Sequence, residues 1–364
     1  MKILNLFNKS YKGKKVLITG DSGFKGSWLA IWLKELGADV YGYSLSPKTE
    51  KDNFVIAKLN DKIHHQDGDI RDYQKFCEYV KSIEPTFVFH LAAQPLVLDS
   101  YQNPRYTFET NLMGVVNFFE AVKSTPSVKV AVNITSDKCY QNNEWIWGYR
   151  EQDPMGGKDP YSASKGCSEL ITNSYISSFF SKENCAFVAS ARAGNVIGGG
   201  DWADFRIVPD FFRAVENKQP LVLRYPYATR PWQHVLEPLG GYLLLASRLF
   251  NEGNKFSGGW NFGPGDYNNY CVKDLIEKMI QLSNVGSFEL LNSKEIKHEA
   301  SLLKLDISKA QTFLEWSPVL NFNETVKMTV DGYLNENTYE NRVKQIIEYL
   351  SIAQSKNILW VKQS

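Results

Sequence analysis

The sequence lacks the features that would send it to a membrane, to nucleic acid or to a metal. No apolar run approaches the roughly 20 residues that a bilayer span needs, and residues 1–9 hold too brief an apolar core for a secretory leader. Neither sign of charge predominates. The 41 basic residues meet 40 acidic ones, without the basic excess of a nucleic-acid binder. Cysteine is scarce, and Cys77, Cys139, Cys167, Cys185 and Cys271 form no Cys-x-x-Cys pair. Without a leader they are expected to be reduced thiols of a cytoplasmic protein. The five His residues lack metal-ligand spacing, and His64 and His65 fall on an expected strand that points them to opposite faces, so no metal is expected. Repeats and low-complexity tracts are missing too. What remains is a 364-residue chain with room for a substantial core.

Over the first two hundred residues short apolar runs alternate with helical patterns, which predicts a parallel sheet covered on both faces. Strands are expected at 16–19, 40–43, 87–90, 130–134 and 187–189. Helices are expected at 27–36, stopped by Gly37, at 104–123 and at 161–180. After Arg192 the alternation gives way to a glycine-rich stretch, 197–202, and to less regular segments with Pro and Trp. The fold class that follows is α/β. A Rossmann-type doubly wound parallel sheet takes up 1–191, and some later strands return to it. A smaller substrate-binding lobe follows over 192–335, then a C-terminal helix and tail over 336–364. Within the tail, the pattern predicts a polar helix at 342–350 and a strand at 358–361.

Gly20, Gly23 and Gly26 recur every third residue directly after the first strand and at the opening of a helix. A backbone that must turn sharply and approach a pyrophosphate has no room for a β-carbon, and the helix N-terminus offers N–H groups and a positive dipole end. Glycines alone would equally make a structural turn; their place between strand and helix points to a dinucleotide. Ser22, Phe24 and Lys25 complete this loop. Asp69, with Ile70 after it, either accepts from the adenine amino group or caps the next helix. Leu91, Ala92 and Ala93 are small enough to let a nicotinamide ribose pass, and Gln94 follows them towards the substrate. The second strand ends in Gly42-Tyr43-Ser44, without the acid that usually grips the adenosine ribose and without an Arg for a 2′-phosphate. NAD is therefore the expected cofactor, held past Ser44.

Tyr161 and Lys165 are four apart and share one helical face. A Lys ammonium beside the phenol is expected to lower its pKa from about 10 towards neutrality, so that Tyr161 takes the proton of a sugar hydroxyl as hydride leaves. A simple alcohol dehydrogenase needs only a hydroxyl, a Tyr and a Lys. Ser136-Asp137-Lys138 adds an acid and a possible base, which implies a second reaction on the same substrate, elimination of water being the candidate.

On these motifs the chain resembles the extended short-chain dehydrogenase/reductase family over nearly its whole length, and within it the sugar-nucleotide 4,6-dehydratase branch. In that branch a hydroxyl residue, Asp and Glu end the strand before the Tyr helix. Here they read Ser136, Asp137 and Lys138. Lys in place of Glu resembles the CDP-glucose 4,6-dehydratases, as do residues 190–202 and 228–239. The resemblance implies that Ser136 assists Tyr161, that Asp137 protonates the departing C6 hydroxyl, and that Asn195, Arg206 and Arg230 contact the sugar nucleotide. It also implies a CDP-glucose or related substrate and a homodimer through the helices at 104–123 and 161–180. Arg offers phosphate a bidentate fork; for Arg206 a solvated surface charge is the alternative. Lys138 is either the base at C5 or a cation that stabilises the enolate, since only about one Lys in 2,500 is neutral at pH 7 at its ordinary pKa. Two other readings use the same glycine loop: a nucleotide-sugar 4-epimerase or 4-reductase, which has no use for Asp137, and a non-catalytic NAD sensor, which has no use for Tyr161.

Overall fold

The computed structural model describes residues 3–181, 185–265, 270–291, 302–336 and 338–362. Seven strands among them form one parallel sheet: β1 (Lys15–Thr19), β2 (Asp39–Ser44), β3 (His64–Asp67), β4 (Phe87–His90), β5 (Val130–Ile134), β6 (Phe187–Arg192) and β7 (Gly258–Asn261). Their spatial order is β7-β6-β5-β4-β1-β2-β3, so the chain winds outward from β1 in both directions. The apolar runs of β4 and β5 are buried at every position, as strands covered on both faces must be. β7 is the later strand that returns to the sheet.

On one face, α1 (Phe24–Glu35), the helix Leu236–Glu252 and the C-terminal helix Tyr339–Ser355 pack into the largest apolar cluster. On the other face, Tyr73–Ile83, Gly114–Lys123 and Pro160–Phe179 cover β4, β5 and β6. A third cluster, around Phe211, Leu275 and Val326, belongs to the smaller lobe. Residues of 192–335 thus serve both bodies. Helix α1 begins three residues before the expected start and so includes Gly26, where a β-carbon would sit 2.0 Å from Gly20 O. Leu36 caps it, and Gly37 follows at φ +78°.

Two expectations need correction. Residues 104–123 form Pro104–Phe108 and Gly114–Lys123 joined by a π-turn, Glu109–Met113, rather than one uniform helix. The turn aims Asn111 Nδ2 at Ser164 Oγ (2.9 Å) and Gln94 O (3.1 Å), bracing the helix that carries Tyr161. The expected strand at 358–361 is a helical turn, Leu359–Lys362. Trp360 and Val361 are both buried, whereas a strand would send them to opposite faces; Trp360 stacks on Phe7 at 5.9 Å.

Candidate active site

The carboxyl ends of β1, β4, β5 and β6 converge, as the open α/β architecture dictates for a ligand crevice. At the end of β1, Gly20 has φ +77°, and a β-carbon would lie 2.8 Å from Ala92 N, so the loop closes directly onto the backbone after β4. Gly23 caps α1 with no side-chain hydrogen bond, and a β-carbon there would meet only Gly20 O at 3.3 Å. No side chain caps the first-turn N–H groups. This cradle fits the pyrophosphate of NAD. The loop is tied to β2 through Ser44 Oγ, which donates to Ser22 Oγ at 2.9 Å, where an acid was missing from the sequence. Asp21 escaped sequence reasoning: it is buried, 2.7 Å from His65 Nδ1, and fixes the loop to β3. Asp69 neither caps the next helix nor stands free. Its carboxylate holds the Arg71 guanidinium at 2.6 Å, and Asp72 is the cap. Ile70 is buried and packs against Gly114.

Asp159 caps the helix Pro160–Phe179, accepting from Ser162 N at 2.9 Å, and so sets Tyr161 and Lys165 facing the end of β5. There Ser136 Oγ donates to Asp137 Oδ1 at 2.9 Å and accepts from Lys138 N at 3.2 Å, which folds Asp137–Cys139 into a single 3-10 turn. Ser136, Asp137, Tyr161 and Lys165 are buried, and Lys138 is half-buried. Burial pushes Tyr161 up to about 12, against the Ser136 hydroxyl and the Arg206 charge, which lower it. The depression expected from Lys165 is not found. Burial draws Lys165 itself down to about 8, while Glu169 and Cys139 oppose that fall. His90, buried below, is pressed down to about 3 by burial and the Lys165 charge, so it is neutral.

Gly194 makes room for the acid: a β-carbon there would fall 1.8 Å from Asp137 Oδ2. Asn195, strained at φ +49°, turns its amide to Asp137 Oδ2 at 3.5 Å. Arg206 keeps 33% of its side chain exposed but is not a free surface charge: it pairs with Asp201 at 2.8 Å and acts on Tyr161. Lys25, expected only to serve the cofactor loop, reaches the same cluster. Its amine stands 6.0 Å from the Tyr242 ring, and burial together with Arg206 lowers it to about 7, against the attraction of Asp137. Two further expected residues already have partners within the chain. Gln94 spends its amide on Leu96 O and Thr107 Oγ1, at 3.0 and 2.9 Å. Arg230 donates to Thr229 O at 2.9 Å and lines a small hollow with Leu302, Leu303 and Lys304. The cluster therefore brings together a phenol, a hydroxyl, a carboxyl, amines and a guanidinium, the groups that hydride transfer and acid–base elimination require.

Among the described residues no helix is long and apolar enough to cross a membrane. A family model described as GDP-mannose 4,6 dehydratase matches residues 17–329. A CDP-glucose 4,6-dehydratase of Salmonella typhimurium is 51% identical over 320 residues, 87% of this chain and 89% of its own. An epimerase of Methanothermobacter thermautotrophicus superposes with a TM-score of 0.78 at 25% identity, covering 94% of this chain and 98% of its own. A UDP-glucose 4-epimerase of Thermus thermophilus, solved with NAD, does so at 0.73 and 23% identity, covering 88% and 99%, a likeness of fold.

Proposed function

The chain belongs to the GDP-mannose 4,6 dehydratase family, and on that footing we propose that it is an NAD-dependent hydro-lyase converting CDP-glucose into CDP-4-keto-6-deoxyglucose. The observation that carries this reading is the 51% identity, along 87% of the chain, to a CDP-glucose 4,6-dehydratase. The lysine at 138, where the branch has Glu, agrees with it.

When bound at the glycine loop, NAD supplies a reversible hydride acceptor, so that C4 is oxidised first and C6 reduced last. Tyr161 first loses its own proton to solvent and then, as the phenolate, takes the C4 hydroxyl proton, with Ser136 orienting that hydroxyl and Lys165 providing positive charge alongside, so that it ends the step as the phenol again. The ketone at C4 acidifies the C5–H bond. Lys138 takes the C5 proton while Asp137 gives its proton to the C6 hydroxyl, which leaves as water; a C5=C6 double bond forms. Lys138 then returns a proton to C5 as C6 is reduced, and Asp137 regains one from solvent. Asn195 keeps Asp137 aimed at C6, Arg206 faces the sugar and its diphosphate, and Arg230 completes the phosphate contacts of the substrate lobe, which we assign within 192–335. The five unpaired thiols suit a cytoplasmic setting.

We also infer a homodimer. Tyr101, Met113, Leu170 and Phe179 expose apolar side chains on the helices of one face. Light scattering should report twice the chain mass, and Leu170→Arg one chain mass; a monomeric parent would end this part.

The test of the function is product analysis after incubation with NAD and CDP-glucose, dTDP-glucose or GDP-mannose. CDP-glucose should be turned over at least about tenfold faster than the others, a difference of about 1.4 kcal/mol in transition-state binding. Preferred turnover of either competitor would refute the cytidine assignment, and a 4-epimer as product would refute the dehydration.

A further inference from the structure

Glu169 takes no part in the proton steps above, yet it is a fully buried carboxylate one helical turn beyond Lys165. A charge out of water is costly unless partners surround it. Here two strands supply them. Thr135 Oγ1 donates to one carboxylate oxygen, while Ser190 Oγ and Arg192 Nη2 donate to the other, both at 2.7 Å. Burial works against the charge, but Arg192 and the hydroxyls outweigh it and hold Glu169 below the usual carboxylate range. Arg192 is buried too. Its Nη1 continues to Tyr140 Oη at 2.6 Å, and Tyr140 donates to Asn261 Oδ1 at 2.7 Å, so the chain of contacts runs from β5 through β6 to β7. Gly259 leaves the space, since a β-carbon there would lie 2.3 Å from the guanidinium.

Two features join this pair to the chemistry. Thr135 immediately precedes Ser136 and Asp137, so its bond to Glu169 fixes the strand end that presents them. Lys165 shares its helical face with Tyr161 and Glu169, and it interacts with Glu169, with Cys139 after β5, with His90 at the end of β4 and with Lys25 from the glycine loop. Of these, Glu169 carries the negative charge.

We propose that Glu169 is a positioning residue for the reaction: with Arg192 as counter-ion it locks the Ser136–Asp137 strand end to the Tyr161–Lys165 helix and is the anion facing Lys165. The inference rests on Tyr161 and Lys165 being the hydride-transfer pair. The test compares kcat, KM and the pH profile of the parent with Glu169→Gln, Glu169→Gln/Arg192→Met and Thr135→Val. Glu169→Gln should lower kcat about tenfold or more with KM changed less than about threefold, and should move the high-pH limb down by about half a pH unit or more. The double variant leaves no charge unpaired and should show the same displaced limb. Thr135→Val keeps both charges and should lower kcat without moving the limb. If either Glu169 variant folds with the parent's kcat and limb, the pair serves stability alone and the proposal is overturned. If neither folds, a Thr135→Val enzyme with unchanged kcat overturns it. A parent inert towards CDP-glucose would instead refute the reading of the site.

Discussion

Gly194→Ala offers a way to displace the acid without altering it. The new methyl would lie 1.8 Å from Asp137 Oδ2 and 2.1 Å from its Cγ, whereas ordinary contact begins at 3.4 Å. Asp137 must therefore retreat by about 1.6 Å, giving up its bond from Ser136 Oγ and its approach to Asn195. Gly194 itself does not lie in the left-handed region, so alanine suits its backbone and the effect falls on the carboxyl. A misplacement of about 1 Å costs roughly a hundredfold in rate, or about 2.7 kcal/mol in the barrier. Because only the elimination needs Asp137, C4 oxidation should survive. Product formation should fall about a hundredfold while NADH absorbance builds up during turnover, which the parent should not show. Asp137→Asn should give the same pattern. A folded Gly194→Ala enzyme with product formation within about threefold of the parent, about 0.7 kcal/mol, would refute the assignment of Asp137 as the acid.

Tyr161→Phe should remove the first step itself: turnover should drop about a thousandfold or more, and a single turnover mixed with NAD should form no NADH. Turnover should decline as pH rises through about 8, where Lys165 gives up its proton. The sign for stability is the reverse. Lys165 titrates near 8 when folded and near 10.4 when unfolded, so its burial penalty is present below 8 and fades as pH climbs towards 10.4. Lys165→Met should thus raise Tm at pH 7, by a margin that shrinks above pH 8, while abolishing turnover. Gly20→Ala should weaken NAD, read by fluorescence titration, at least about tenfold, since an αL alanine costs about 1–2 kcal/mol and its methyl would press Ala92 N at 2.8 Å.

The sheet and its cofactor loop were legible because their signals are local: apolar runs of strand length, and glycines where strand becomes helix. Tyr161 and Lys165 could be paired from spacing alone, and Ser136–Asp137 from adjacency. The partners that govern them could not. Glu169 continues the four-residue spacing of the catalytic face, so the pattern could have flagged it, but its counter-ion Arg192 lies on another strand. Lys25, Asp201 and Tyr242 reach the cluster from distant segments that only the fold brings together. The expected fall in the Tyr161 pKa did not appear because desolvation, invisible in a sequence, outweighs the nearby charges. The contacts that Gln94 and Arg230 make within the chain were hidden for the same reason, since their partners are set by the fold and not by residue type. The π-turn at Glu109–Met113 likewise left no periodic trace, because its extra residue is absorbed within an otherwise helical pattern.

The central claim is that one cofactor molecule carries hydride from C4 to C6 of the same sugar while Asp137 and Lys138 remove water between them. CDP-glucose deuterated at C4, converted with catalytic NAD and analysed by mass spectrometry and NMR, tests this directly. The account predicts a 4-keto-6-deoxy product carrying the deuterium at C6. Deuterium lost to solvent, retained at C4, or found on released NADH would contradict it.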